Sequence, residues 1–317
     1  MSQPRPGPPA DPVLRLHLKP LLLVIAAAIT AYAVVLAVFG EGSAVTSLQR
    51  LVSVAGLQAL ALCLLNYLLR GLRWQRWMAH FGRPLGLLEG LRLYLAGYTF
   101  TPTPGNIGEA ARGLLLARQP LSSAQSLAMF GAERLADLFC LLVMSLPVVW
   151  VLADAGGSGS GPRLTLALGL LALAGLALLG LWFQFRLRLL RRLPWLSDAW
   201  RCLTTQPLLW LGLTGVAWAA QGLAVWLLCR EAGLTIDVLQ AAGIYAVAMV
   251  GGALSLLPAG LGGMEALLAG LLVVHGASTA QAVSITVLVR LATLWFAVAI
   301  GALALLCSAA MRDISFR

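Results

Sequence analysis

The chain has 317 residues, of which 60% are hydrophobic and only 11% charged, and its mean hydropathy is +0.89. A soluble domain carries about 25% charged residues, so the soluble globular and disordered classes are excluded. The net charge of +10 does not indicate nucleic-acid binding, because the basic residues lie in short clusters between apolar stretches. The composition therefore predicts an all-α polytopic membrane protein.

Six apolar segments reach the length of about 20 residues that a bilayer span requires. They lie at about residues 20–40, 50–70, 122–152, 163–185, 207–229 and 279–309. The first follows a Pro-rich tail at 1–18; it is too long for a signal-peptide core and lacks an Ala-x-Ala cleavage site, so we expect a retained span. Two further apolar regions, at about 85–118 and 238–275, are interrupted by TPTPGNIG and LLPAGLGG.

The charges of the loops indicate how these segments are oriented, because cytoplasmic loops are enriched in Lys and Arg. Basic residues cluster in the N-terminal tail, after the second span and in FRLRLLRRLPWLSDAWR after the fourth, whereas ADAGGSGSGP and HGASTAQ contain none. Every loop agrees if each interrupted region enters and leaves on one side. We therefore predict two re-entrant helical hairpins, the first entering from the cytoplasm and the second from outside. Both termini are then cytoplasmic, and we expect the bacterial inner membrane.

The sequence also repeats itself at an offset of 156 positions, which joins Glu109 to Glu265. The other recurring residues are Ser122, Ala124, Gln125, Arg134, Leu135 and Ala136, matched by Ser278, Ala280, Gln281, Arg290, Leu291 and Ala292. Each half has three crossings and one hairpin, and an odd number of crossings inverts the second half. The sequence thus predicts an inverted-topology repeat of units 19–155 and 156–310, followed by a cytoplasmic tail at 311–317.

Ionisable residues inside the apolar segments are the candidate site, because each costs about 2.5–3.5 kcal/mol near the bilayer centre on insertion scales. They are Glu109, Glu133, Arg134, Asp137, Glu265 and Arg290. We predict that Glu109 pairs with Arg134 and Glu265 with Arg290. Helix N-termini at the breaks attract anions and guanidinium groups suit phosphate. This combination predicts a midplane site for an anionic lipid headgroup.

Two groups of residues frame that site. The residues that break the hairpins are Pro104, Gly105, Gly108, Pro258, Gly260 and Gly262. A basic-aromatic group follows the second span as RGLRWQRW and comprises Arg70, Arg73, Trp74 and Arg76. We expect this group to anchor the chain at the membrane interface, with the gathering of anionic headgroups as the alternative.

A structural role is the alternative for the glutamates. Asn106-x-x-Glu109 fits a capping box, in which Glu109 only closes the start of the returning helix. The Glu–Arg pairs would then lock each hairpin to a span as buried ion pairs. No GxSxG, HExxH or P-loop occurs, and the five cysteines and three histidines are scattered. We therefore expect no enzymatic activity, no cofactor and no metal.

The stretches NYLLRGLRWQRWM, TPTPGNIGEAARGLLLAR, GAERLADLF and LLPAGLGGMEALLAGLL resemble the lysylphosphatidylglycerol synthase transmembrane, or flippase-like, family, over about residues 15–308. The resemblance implies lipid translocation, the role ascribed to the flippase half of the multiple peptide resistance factor in that family. It adds Arg112 to the candidate site. It implies no aminoacyltransferase activity, because that activity lies in a separate soluble domain and this chain ends at Arg317.

The leading hypothesis is a translocase for an anionic lipid or a lipid-linked precursor. Its candidate cargoes are a phospholipid, an aminoacylated lipid, a polyprenyl phosphate and a hopanoid-type lipid. The alternative is a non-catalytic accessory subunit of a lipid-modifying or glycosyltransferase pathway, with a glycosyltransferase or aminoacyltransferase as partner. An intramembrane enzyme is the third hypothesis, and it lacks a nucleophile or metal constellation. Direction, energy coupling and oligomeric state stay open.

Overall fold

The computed structural model describes residue 30 and residues 49–110, 112–113, 121–154, 194–255 and 257–315. Over these ranges the chain forms helices and short turns, without any strand. The all-α prediction is therefore confirmed for this part of the protein. The predicted tail at 1–18, the first span at 20–40, the fourth span at 163–185 and the end of the first hairpin at 114–118 lie outside the described residues.

The helices follow the chain in an order that matches the predicted segments. They are α1 (Val54–His80), α2 (Leu87–Gly97), α3 (Ser123–Asp154), α4 (Pro194–Thr204), α5 (Pro207–Glu231), α6 (Val238–Leu254), α7 (Gly263–Val274), α8 (Thr279–Arg290) and α9 (Phe296–Ser315). A π-helical turn, Leu291–Trp295, joins α8 to α9. Helix α9 continues into the predicted tail at 311–317.

Three helices of the described residues are long and apolar enough to cross a membrane: Val54–His80, Pro207–Glu231 and Thr279–Cys307, the last combining α8 with most of α9. They correspond to three of the predicted spans. Helix α3 has 32 residues, which is also sufficient length, but it carries the charged residues Glu133, Arg134 and Asp137. The shorter apolar helices α6 and α7 belong to the second interrupted region.

Both interrupted regions contain a break in the helix. Between α2 and α3 lie a short turn, Tyr98–Phe100, and the first break, Pro104–Ala110, in which Asn106 has a positive φ of 57°. Between α6 and α7 lies the second break, Pro258–Gly260, where Ala259 has a φ of 53°. Helices α6 and α7 pack against each other, and the two breaks contact each other although they belong to different halves. The breaks of the two interrupted regions therefore meet, and the residues of the second break are half-buried.

The repeated serines have the same local role in both halves. The Gln125 N–H donates to Ser122 Oγ at 3.2 Å, and the Gln281 N–H donates to Ser278 Oγ at 3.1 Å. Each serine thus caps the N-terminus of the span that follows its hairpin. The recurrence of these residues is explained by helix initiation rather than by ligand binding.

Contacts between the halves come in equivalent pairs. Helix α3 packs on α6, and its counterpart α9 packs on α2, the counterpart of α6. Gly301 allows the α9–α2 contact, since a Cβ there would lie 2.9 Å from the Leu95 carbonyl oxygen, and Gly243 allows the α3–α6 contact, since its Cβ would lie 2.6 Å from Val148 Cγ2. The counterparts α1 and α5 also pack together.

Helices α1 and α5 run in opposite directions. Asn66 donates to the Ala217 carbonyl at 2.8 Å, and Arg73, further along α1, donates to Thr214 Oγ1 at 2.7 Å. Beyond them, His80 at the end of α1 shares a pocket with Gln206 at the start of α5. Counterpart helices of the two halves are therefore antiparallel where they meet.

Candidate functional site

The first break places Glu109 at the centre of a set of donors. Thr101 Oγ1 donates to Glu109 Oε1 at 2.9 Å, and Arg134 Nη2 donates to Glu109 Oε2 at 2.8 Å. Arg112 Nη2 lies 3.4 Å from the same oxygen. The predicted Glu109–Arg134 pair is confirmed. The capping box is not formed, because the Asn106 N–H donates to the Thr103 carbonyl instead.

The ion pairs continue from Glu109 into the bundle. Arg112 Nη2 donates to Glu133 Oε2 at 2.8 Å, and Arg73 Nη2 lies 3.8 Å from Glu133 Oε1. Arg73 Nη1 donates to Asp137 Oδ1 at 2.9 Å, and Arg70 Nη2 donates to Asp137 Oδ2 at 2.5 Å. We call this set the first-half cluster, comprising Arg70, Arg73, Glu109, Arg112, Glu133, Arg134 and Asp137. Four arginines face three carboxylates, so its formal charge is positive.

The expectation of an interfacial belt is wrong for three of its four residues. Arg70, Arg73 and Trp74 are only 6%, 1% and 2% exposed. Helix α1 continues to His80, which carries both arginines against the carboxylates of α3. A buried charge is stable only when it is paired, and Asp137 has no other cation as close. Arg76 remains exposed.

Aromatic side chains line the first-half cluster. The Arg112 guanidinium lies 4.3 Å from the Tyr94 ring centroid, and Arg70 lies 5.3 Å from that of Trp218. Trp218 Nε1 donates to Asp137 Oδ1 at 3.3 Å, and Arg70 donates to the Tyr98 hydroxyl at 3.3 Å. Such rings replace part of the hydration that a buried guanidinium loses. Trp218 and Thr214 of α5 thus complete a cluster otherwise built by the first half.

The second break holds a smaller arrangement. Arg290 Nε lies 2.7 Å from Glu265 Oε1, so the second predicted pair is confirmed. Glu265 Oε2 accepts the Gly262 N–H at 2.7 Å, and Arg290 Nη2 donates to the Ala259 carbonyl at 2.9 Å. Glu265 therefore both caps α7 and neutralises Arg290. The capping role that the sequence suggested for Glu109 occurs at Glu265.

The span that follows the second hairpin is deformed immediately beyond Arg290. The π-helical turn at Leu291–Trp295 widens the helix there, and Tyr67 of α1 donates to the Thr293 carbonyl at 2.6 Å. Such turns are frequent at functional sites. Thr293 is the counterpart of Asp137, so the second half has no carboxylate where the first-half cluster has the one that pairs with Arg70 and Arg73.

Several polar atoms of the first-half cluster lack a hydrogen-bond partner among the described residues. They are Arg112 Nη1, Arg134 Nε, Glu133 Oε1, Arg70 Nε and the Nε and Nη2 of Arg73. Arg134 is also the most accessible member, with 33% of its side chain exposed, whereas Glu109 beneath it is buried. The cluster therefore offers unused guanidinium donors and one arginine that an incoming anion reaches.

Sequence reasoning missed Arg70, Arg73, Thr214 and Trp218 as members of the site. The sequence of α1 did indicate that Arg70 and Arg73 belong together on a polar face. They follow helical spacing with Asn66 and Trp77 and share one face of the helix. No group of three or more His, Cys, Asp or Glu side chains placed to hold a metal occurs in the part of the chain that the structure describes. The five cysteines are free thiols, and burial raises the pKa of the Cys202 thiol on α4 to about 12.

Three apolar helices of membrane-spanning length among the described residues, together with two helix breaks that each carry a Glu–Arg pair, define an all-helical membrane protein. The model of the family described as lysylphosphatidylglycerol synthase TM region matches residues 22–301. The chain therefore belongs to this family, and the resemblance seen in the sequence is confirmed. Comparison with curated proteins found no match.

Proposed function

We propose that the chain is a translocase that moves an anionic lipid or a lipid-linked precursor between the leaflets of the bacterial inner membrane. The observation that carries the proposal is the meeting of the two breaks, each with its own Glu–Arg pair. A buried ion pair adds little net stability compared with apolar packing. Two such pairs at broken helices within a membrane bundle therefore favour a ligand site over a purely structural role.

The packing of the halves supports an inverted repeat around this site. Counterpart helices α1 and α5 are antiparallel, and the contacts α3–α6 and α9–α2 are equivalent under the 156-residue offset. Inverted repeats of this kind place one substrate site at the midplane and open it to either side in turn. On this proposal the two hairpins, which enter the membrane from opposite sides, line a single substrate site.

The charges support a negatively charged headgroup. The first-half cluster has a formal positive charge, and Arg134 at its accessible edge has an unused Nε. A phosphate that contacts Arg134 accepts two hydrogen bonds from the planar guanidinium group, the bidentate geometry that guanidinium groups favour. Glu109 keeps Arg134 neutralised while the site is empty. The acyl chains stay in the lipid, so only the headgroup crosses through the protein.

Leaflet movement in reconstituted vesicles tests the proposal. The chain is placed in liposomes with acyl-labelled fluorescent phosphatidylglycerol or phosphatidylcholine, and dithionite reports the label in the outer leaflet. We expect the wild-type chain to move phosphatidylglycerol, and Arg134→Gln to slow that movement by about 10- to 100-fold, the equivalent of one charged hydrogen bond. Arg230→Gln is the matched control, because Arg230 is also exposed and stacks on Trp226 away from the breaks.

Movement of phosphatidylglycerol no faster than in protein-free vesicles would overturn the proposal. A stable partner protein that co-purifies with an inactive chain would then favour the accessory-subunit alternative.

A further inference from the structure

A small pocket lies away from the two breaks, where the end of α1 meets the start of α5. Its lining includes Arg73, Arg76, Trp77, His80, Gln206 and Trp210. None of the described residues that line it is acidic. Basic residues lie at the end of α1 and before α4, so this end of the bundle is on the side predicted to be cytoplasmic.

Arg73 connects this pocket to the first-half cluster. Its Nη1 donates to Asp137 Oδ1 and Thr214 Oγ1, and its Nη2 lies 3.8 Å from Glu133 Oε1. Yet Nε and Nη2 lack a hydrogen-bond partner among the described residues, although the side chain is almost fully buried. His80 Nε2 lacks one there too. Unused donors on a buried arginine are costly unless a ligand or water satisfies them.

The N-terminus of α5 lies at the same pocket. Gln206 is the N-cap of this 25-residue helix, but its side chain makes no capping hydrogen bond, and Pro207 follows it. The backbone of Gln206 has a positive φ of 53°, which is strained for a residue with a side chain. Pro207 has no N–H, and the Leu209 and Trp210 N–H groups donate to the Gln206 carbonyl, so this helix end attracts an anion mainly through its dipole.

The remaining walls are aromatic and aliphatic. Trp77 is stacked under the Arg73 guanidinium, 5.2 Å from its carbon Cζ, and Trp210 is fixed by a hydrogen bond from Nε1 to the Leu203 carbonyl at 2.6 Å. Leu209 continues the apolar wall. Tryptophan with one apolar face and one polar edge is the side chain that membrane interfaces favour. The pocket therefore combines phosphate donors with a wall suited to a lipid.

We infer that this pocket binds the phosphate ester of an anionic lipid as the entry site of the translocation path, an inference that rests on the proposed function. The phosphate is held by Arg76, the α5 N-terminus and the unused donors of Arg73. Arg73 also belongs to the first-half cluster. A headgroup bound in the pocket is therefore separated from the buried carboxylates only by the Arg73 side chain. The pocket thus collects the headgroup that the breaks then transfer.

Equilibrium binding to the purified full chain in neutral detergent tests the inference, with the number of bound ligands resolved by native mass spectrometry. The probes are short-chain phosphatidylglycerol, short-chain phosphatidylcholine and soluble glycerol 3-phosphate. We expect Arg76→Gln to weaken phosphatidylglycerol binding about tenfold, as the loss of one charged hydrogen bond. Gln206→Glu, which puts a carboxylate at the α5 N-terminus, should weaken it at least as much. Arg230→Gln at the other end of α5 should leave it unchanged.

Equal phosphatidylglycerol affinities for Arg76→Gln, Gln206→Glu and wild type would overturn the inference, with folding checked by elution of each variant at the wild-type volume. Glycerol 3-phosphate that binds as tightly as the lipid would assign the pocket to a soluble ester and overturn its role as lipid entry site. Failure of the proposed function is read separately, from leaflet movement. If wild type moves no lipid, the binding ratios still decide whether the pocket takes a phosphate ester.

Discussion

The two breaks carry the same Glu–Arg pair in unlike surroundings. At the first break Glu109 is buried and belongs to the first-half cluster of four arginines and three carboxylates, which extends to α1 and α5. At the second break Glu265 is 16% exposed, has Arg290 as its partner and also caps α7. The same Glu–Arg pair thus lies in a cluster of net positive charge at the first break and beside a helix cap at the second. On the proposed function, the first break supplies the stronger attraction for an anionic headgroup.

The largest effect is expected at Asp137, the carboxylate of the first-half cluster that pairs with two buried arginines. Asp137→Asn removes the carboxylate shared by Arg70 and Arg73, which leaves two buried guanidinium groups without that counter-charge. We expect the free energy of unfolding to fall by about 3–5 kcal/mol, measured by unfolding in mixed detergent and SDS micelles. Glu231→Gln, at an exposed helix end, is the control and should change stability little. A loss no greater than that of the control would contradict the buried cluster.

A smaller loss is expected at the second break. Glu265→Gln still accepts the Gly262 N–H but no longer neutralises Arg290. We expect a loss of about 1–3 kcal/mol in the same unfolding experiment. Glu265→Ala removes the cap as well and should cost more. If Glu265→Gln cost as much as Asp137→Asn, the proposed difference between the breaks would be wrong.

Packing at the first break is tested with a glycine. In Gly108→Ala the added Cβ would lie 2.7 Å from the Phe100 carbonyl oxygen and 2.9 Å from Thr103 Cγ2. The backbone must therefore shift, at a cost of about 1–3 kcal/mol. Gly270→Ala is the matched control, because nothing lies within 4 Å of its new Cβ and alanine favours the helix. Equal thermal stability of the two variants would show that the first break is looser than described.

The smallest effect is expected from the loss of one hydrogen bond to Glu109, because this carboxylate keeps its arginine partners. Thr101→Val keeps the shape of the side chain but removes the hydroxyl that donates to Glu109. We expect a loss of about 1 kcal/mol. Thr204→Val on α4, whose hydroxyl donates to the Trp200 carbonyl at an exposed position, should cost less. The reverse order would show that Glu109 does not depend on Thr101.

The Glu–Arg pairs could be predicted from the sequence because buried charges need partners and the 156-residue offset supplies the same candidates twice. The helix breaks could also be predicted, because proline and glycine disrupt a helix locally. The roles of Arg70 and Arg73 could not be predicted from loop charges. Loop charges assign every basic residue near the end of a span to the membrane interface, whether or not its side chain is buried. Their burial depends on how far α1 continues and on which helix it meets. The contributions of Thr214 and Trp218 depend on the packing of the two halves, which a linear pattern does not contain.

The most direct test of an inverted pair of hairpins is the side from which each hairpin begins. In a chain whose native cysteines are replaced, Gly86→Cys marks the start of the first hairpin and Thr235→Cys the start of the second; both positions are exposed, and a Cβ fits at Gly86. A membrane-impermeant maleimide is applied to right-side-out and inside-out vesicles. We predict that Gly86→Cys is labelled only from the cytoplasmic side and Thr235→Cys only from outside. Labelling of both from the same side would contradict the inverted repeat and the two-faced site built on it.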